Sequence, residues 1–193
     1  MAHEVQVLLL SALKKDGVVV TDESLPVVLK RLGETIRHVA HDVYDRYKPA
    51  IERVWQDGVQ TLEADLRQWL RLMKDDPAWQ PAHFELAFGL ADRAREEMDP
   101  ASSPTPVTLL EGLQVRGSID LVERNVDGTL RATDYKTGRV KADEESIIGG
   151  GRHLQPVLYA LVLEKLFAGA KVWGGRRYYN TQVGGFTERP VPL

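Results

Sequence analysis

Cysteine is absent from this 193-residue sequence, which removes disulfides, thiolate zinc sites, iron–sulfur clusters and cysteine nucleophiles in one step. Any metal the chain binds must rest on oxygen or imidazole. No run of roughly 18 apolar residues occurs that could cross a bilayer. The opening Met1-Ala2-His3-Glu4-Val5-Gln6-Val7-Leu8-Leu9-Leu10 has too short an apolar stretch for a secretory signal. A cytoplasmic protein without a membrane segment is the expectation. Excess positive charge is missing too: the net charge is -3, where phosphate-binding domains are often strongly basic. The sum hides a gradient. Residues 130 to 177 hold nine Lys or Arg against five Asp or Glu, leaving 16 against 23 elsewhere. A basic segment on an acidic body and chance patchiness of a charged surface both fit that distribution.

The composition, 43% hydrophobic and 27% charged, suffices for one domain with a full core. One domain over residues 1–193 is expected, with a helical N-terminal part at 1–80 and a sheet core at 81–193. From Ser24 to about Lys74 apolar residues recur at three- and four-residue steps, through Leu25, Val28, Leu29, Leu32, Ile36, Val39 and Val43. Pro26 suits a first helical turn, Lys48-Pro49 breaks the pattern, and Asp75-Asp76-Pro77 ends a second helix. Asp99 to Pro106, with three prolines and two serines, reads as a loop inside the domain. Beyond it the period becomes that of strands, over Leu113 to Glu123 and Thr129 to Lys136, then an apolar helix from about Gln155 to Phe167 and two late strands near 171–179 and 185–191. Helices, strands, helix and strands in that order predict an α/β or α+β class with a mixed sheet.

The hairpin between the first two strands carries a cluster of charge. Asp134 and Lys136 share a strand face because side chains alternate. Whether Asp120 joins them depends on the turn at Asn125-Val126-Asp127-Gly128. A two-residue loop pairs Val126 with Thr129 and sends the two aspartates to opposite faces. A three-residue loop ending on a left-handed Gly128 pairs Asn125 with Thr129 and sets Asp120 opposite Asp134. Glycine at the last loop position favours the second geometry. Two opposed carboxylates repel, so they call for a divalent cation between them, with Lys136 beside it to balance charge and orient a water. A surface ion-pair network is the plainer reading, but Ile119, Leu121, Val122, Ala132 and Tyr135 make these strands apolar enough for a sheet interior.

These residues carry a resemblance. Gly117-Ser118-Ile119-Asp120, Thr133-Asp134-Tyr135-Lys136-Thr137-Gly138 and Gln155-Pro156-Val157-Leu158-Tyr159 resemble, in this order, three motifs of the PD-(D/E)XK nuclease superfamily and of its RecB-type (AddB-like) branch. Weaker likeness extends from Phe84-Glu85-Leu86-Ala87-Phe88-Gly89 to Arg177-Tyr178-Tyr179. The resemblance implies a restriction-endonuclease-like core, a mixed central sheet flanked by helices, with an added N-terminal helical region. It implies phosphodiester hydrolysis dependent on Mg²⁺ or Mn²⁺, with Asp120, Asp134 and Lys136 catalytic. Asp120, Asp134 and the Tyr135 carbonyl would hold metal. Lys136 would position water or stabilise the transition state. Gln155 and Tyr159, one helical turn apart, would orient the site or contact DNA, together with Arg139 and Arg152.

Relatives also place a metal-binding histidine in the first helix; His41 is the candidate here, with His38 as the alternative. The missing cysteines put the chain among relatives without the iron–sulfur cluster. DNA, as single strands or ends, is the implied partner, with a helicase domain or subunit as a second. Repair or recombination is the implied setting. The same fold gripping nucleic acid without cutting it is the alternative, and paired carboxylates disfavour it. Glu85 fits either a carboxylate beside the site or an exposed strand position. His83 and His153 have no partner at ligand spacing and are expected at the surface. The end at Pro190-Val191-Pro192-Leu193 fits a domain cut from a larger protein.

Overall fold

The computed structural model describes residues 1–90, 99–136, 154–179 and 188–192. They fall into two compact units, one formed by Met1–Pro77 and the other by residues 78–136, 154–178 and 188–192. No helix among the described residues is long and apolar enough to cross a membrane.

The first unit is helical. Helix α1 (Ala2–Lys15) packs on α2 (Leu25–Tyr47), and α2 on α3 (Glu52–Lys74). Val28, Leu32, Ile36 and Val39 of α2 are buried, as the three- and four-residue spacing requires. Lys48 closes α2 in the left-handed conformation, φ 46°, and its N–H donates to the Tyr44 carbonyl at 2.8 Å. Helix α1 departs from the sequence reading, which starts its helices at Ser24. Its stripe of Val5, Leu9, Leu10 and Leu13 is buried.

The second unit is built on a sheet of strands β1 (Trp79–Phe88), β4 (Gly117–Asn125), β5 (Leu130–Lys136), β6 (Val172–Tyr179) and β7 (Glu188–Pro192), in the order β1-β4-β5-β6-β7. A short antiparallel pair, β2 (Val107–Thr108) and β3 (Gln114–Val115), stands apart from it. Within the large sheet β1/β4, β4/β5 and β6/β7 are antiparallel. The sheet is mixed, so the remaining pair, β5 and β6, is parallel. Helix α4 (Gln155–Leu166) lies between those two strands in sequence, the crossover a parallel pair needs. One buried cluster joins Val122, Leu130 and Ala132 of β4 and β5 to Val162 and Leu163 of α4. This fixes which sheet face α4 covers.

The hairpin register follows the three-residue loop. Leu121 pairs with Thr133, Val122 with Ala132, Glu123 with Arg131 and Arg124 with Leu130, so opposed numbers sum to 254. Asn125 N–H donates to Thr129 O at 2.8 Å, Gly128 N–H donates to Asn125 O at 2.9 Å, and Gly128 has φ 88°. A side chain at this left-handed position costs about 1–2 kcal/mol. A Cβ there meets nothing within 4 Å, so packing adds nothing to that cost. Gly128→Ala should therefore lower stability by about 1 kcal/mol or slightly more, read as a shift in denaturant midpoint at unchanged slope.

Candidate active site

The β4–β5 ladder ends at Leu121–Thr133, and one step further the same register sets Asp120 against Asp134. There the backbone N–H of Tyr135 donates to Asp120 Oδ2 at 2.7 Å. A side-chain carboxylate thus takes a main-chain donor of the neighbouring strand, which pins the Asp120 side chain beside β5. Asp134 is 2% exposed. Its Oδ2 lies 2.7 Å from Lys136 Nζ, two residues along the same face. Its Oδ1 accepts a hydrogen bond from Gln155 Nε2 at 2.8 Å.

Gln155 opens α4, and Pro156 follows in the first turn, where a missing N–H is tolerated. One turn on, the Tyr159 hydroxyl accepts a second bond from Gln155 Nε2, also at 2.8 Å. The two hydrogens of one amide nitrogen therefore tie Asp134 to Tyr159. Burial pushes the Tyr159 hydroxyl up to about 12; the bond from Gln155 works against the shift, and the charges of Asp134, Asp120 and Glu85 add to it. At neutral pH the phenol stays protonated, and while accepting from Gln155 it keeps its own O–H as a donor. Its ring meets Phe88 edge-on, centroids 6.4 Å apart.

Glu85 joins this group. Its carboxylate accepts from Ser118 Oγ at 3.2 Å, and one of its oxygens lies within 4.8 Å of a carboxylate oxygen of Asp120. The alternating pattern around Phe84, Leu86 and Phe88 reads as an ordinary strand position, but the backbone at Glu85 is left-handed, φ 48°. Such a conformation is rare for a residue with a side chain and costs free energy that the surrounding structure must supply. Three carboxylates, one ammonium, one amide and one phenol thus converge at one end of β4, β5 and α4.

The family model of the PD-(D/E)XK nuclease superfamily matches residues 18–190. The chain belongs to that superfamily. A comparison with curated protein sequences found no match. Superfamily members are in general divalent-metal-dependent nucleases, which implies a nucleic-acid substrate. The donor chemistry here fits such an ion. Asp120 and Glu85 bring carboxylate oxygens within 4.8 Å of one another, hard donors that suit Mg²⁺ and Mn²⁺, and the chain has no thiolate to favour a softer metal.

His38 and His41 belong to α2 in the helical unit, with side chains 69% and 73% exposed. Each has a carboxylate one turn along its own helix: His38 Nε2 is 3.7 Å from Asp42 Oδ2, and His41 Nε2 is 3.6 Å from Asp45 Oδ2. Arg139, Arg152 and His153 lie outside the described residues. His83 is not the surface histidine expected. It is largely buried, stacks on Phe167 with centroids 4.9 Å apart, and lies with Nδ1 3.0 Å from Asp99 Oδ1. Burial works to raise the Asp99 carboxyl, but His83 and the backbone N–H groups of Ala101 and Phe84 outweigh it and hold the group below its ordinary value.

The basic segment also changes meaning. Arg131 and Arg176 are 4% and 3% exposed and bind the buried Glu123, so neither adds to a basic surface.

Proposed function

We propose that this chain is a divalent-metal-dependent deoxyribonuclease of the RecB-type branch. The observation that carries the reading is the single amide of Gln155 bonded to both Asp134 and Tyr159. A glutamine and a tyrosine one turn apart, seated on the aspartate of an Asp-x-Lys strand, join the motifs of that branch in one working arrangement. The superfamily match spans residues of both compact units, which supports taking 1–193 as one nuclease domain.

Asp120 and Asp134 would hold Mg²⁺ or Mn²⁺, with Glu85 beside them and the Tyr135 carbonyl as a further oxygen. His41, or His38 in its place, enters only through the resemblance. When bound, the cation supplies electrostatic polarisation of a phosphoryl oxygen and activation of water. The chain's own groups do the rest. Lys136, 36% exposed, holds its Nζ 2.7 Å from Asp134 Oδ2, and a phosphate would share it with that carboxylate. It balances negative charge that grows as the phosphorus is attacked. Gln155 fixes the rotation of the Asp134 carboxylate, and Tyr159 offers a neutral O–H donor to a phosphate oxygen. Arg139 and Arg152 enter from sequence alone as backbone contacts. The setting we infer is cytoplasmic DNA repair or recombination, on single strands or ends, beside a helicase domain or subunit.

Labelled single- and double-stranded DNA, incubated with the chain and Mg²⁺, Mn²⁺ or EDTA, tests the proposal. Cleavage with either metal and none in EDTA is expected. DNA retained but uncut under every metal would overturn it in favour of a non-catalytic binding module, and no DNA binding at all would remove both.

A further inference from the structure

The seat of Gln155 has a support that the motifs do not contain. Strand β6 passes behind the first turn of α4 so closely that a Cβ on Gly175 would lie 2.2 Å from the Pro156 carbonyl oxygen, 2.7 Å from its carbon and 2.8 Å from its Cα. All three are backbone atoms, and Pro156 is the residue after Gln155. No side-chain rotation can relieve such a contact. To bring the shortest distance out to 3.0 Å, helix or strand must move by at least 0.8 Å.

The strand is the less free to move. Arg176, next in β6, points to the opposite sheet face, where Nε donates to Thr133 Oγ1 at 2.8 Å and NH2 donates to both Glu123 oxygens at 2.8 and 2.7 Å. Glu123 is held further by Arg131 Nε at 2.9 Å and by Thr133 Oγ1 at 2.5 Å. Every member of this group is buried. Strand β6 is thus bolted to β4 and β5 on one face, while α4 rests against its bare backbone on the other.

We infer that Gly175, backed by Arg176, is a positioning residue that sets Gln155 on Asp134. The inference rests on the nuclease reading above for its effect on rate, though not for its geometry. Tyr159 rides on the same helix, so a shift of α4 falls on the 2.8 Å bond from Gln155 Nε2 to Asp134, and 0.8 Å along that bond takes it beyond hydrogen-bonding distance. The cost of adding one methyl at Gly175 is therefore carried through Gln155.

The experiment is a double-mutant cycle with two readouts. Gly175→Ala, Gln155→Ala and the double variant, as full chains, are compared in steady-state DNA cleavage and by NMR of the 15N-labelled Gln155 side-chain amide. Gly175→Ala should lower kcat by about 10–100-fold at little-changed KM, as loss of a group that orients a metal-holding residue does. The double variant should be no slower than Gln155→Ala. The amide resonance in Gly175→Ala should move towards that of a solvated glutamine and exchange faster. Losses that multiply in the double variant, or an amide signal unchanged by Gly175→Ala, would overturn the inference.

If the wild-type chain cuts no DNA, the nuclease reading fails and the amide signal alone decides whether Gly175 seats Gln155. If Gly175→Ala does not fold, Arg176→Lys takes its place. Lysine replaces the two-armed guanidinium grip on Glu123 and Thr133 with a single ammonium, β6 loosens, and the amide should shift the same way by less; no shift overturns the inference.

Discussion

Asp134→Asn should lower DNA cleavage by about 10³-fold or more, while the protein stays folded with its melting temperature little changed. Asparagine keeps the shape of the side chain and an oxygen to accept the Gln155 amide, so packing at this buried position is conserved. What it removes is the anionic oxygen, the group that on our proposal holds the cation. Electrostatic stabilisation by a bound cation is worth several kcal/mol at the transition state, and about 4 kcal/mol corresponds to roughly 10³ in rate.

Folding should suffer little because the lost charge stands among others of its own sign. Asp134 and its neighbours Asp120 and Glu85 all act on Tyr159 as negative charges, and removing one relieves repulsion within the set. The loss of the ion pair with Lys136 offsets that gain, and Lys136 is exposed enough for water to take over much of its solvation. Rates are measured under saturating Mn²⁺ and Mg²⁺, with thermal melts of the same samples. Gln155→Ala in the same assay should fall short of this loss, since it removes a residue that orients the carboxylate and leaves the carboxylate itself. Asp134→Asn cutting within tenfold of wild type would rule out the assigned role.

The site was legible in the sequence wherever short-range geometry decides it. Gly128 selects a three-residue loop, and from that turn alone the register carries Asp120 to a place opposite Asp134. Four-residue spacing puts Gln155 and Tyr159 on one helical face, and the bond between them follows. What stayed hidden depends on partners far away in the chain. Glu123, Arg131 and Thr133 alternate along two strands as residues of a solvated face would, and only Arg176, far along the chain, makes them a buried cluster. His83 finds its carboxylate 16 residues away at Asp99, the first residue of a loop whose prolines and serines carry no pairing signal. For Glu85 the side-chain pattern leaves two placements open, beside the site or exposed on a strand, because it does not report a left-handed backbone. The opening helix was missed although its stripe of Val5, Leu9 and Leu13 has helical spacing. The run Val7-Leu8-Leu9-Leu10 fills that stripe in and blurs its period.

Glu123→Gln should be the most destabilising conservative change among these residues, by about 3–5 kcal/mol. The glutamine fits the space but carries no charge, so the guanidinium groups of Arg131 and Arg176 remain buried without the anion they share. Breaking a buried ionic group by removing one partner costs this much because the stranded charge cannot regain its hydration. For a chain of this length the melting temperature should fall by about 6–20 °C.

The pH dependence gives the same expectation an independent sign. Burial works to raise the Glu123 carboxyl, but Arg176, Arg131 and the hydrogen bonds from Arg131 and Thr133 outweigh it and hold the group below its ordinary 4.5. A depressed folded value means that the contribution is complete above the unfolded value and is lost as pH falls through the folded one. The gap in stability between wild type and Glu123→Gln should therefore be constant from neutral pH down to about 4.5, then narrow below it. Denaturant titrations across that range measure the gap directly. A gap that stays constant into stronger acid would mean that the ionised carboxylate is not what holds β4, β5 and β6 together.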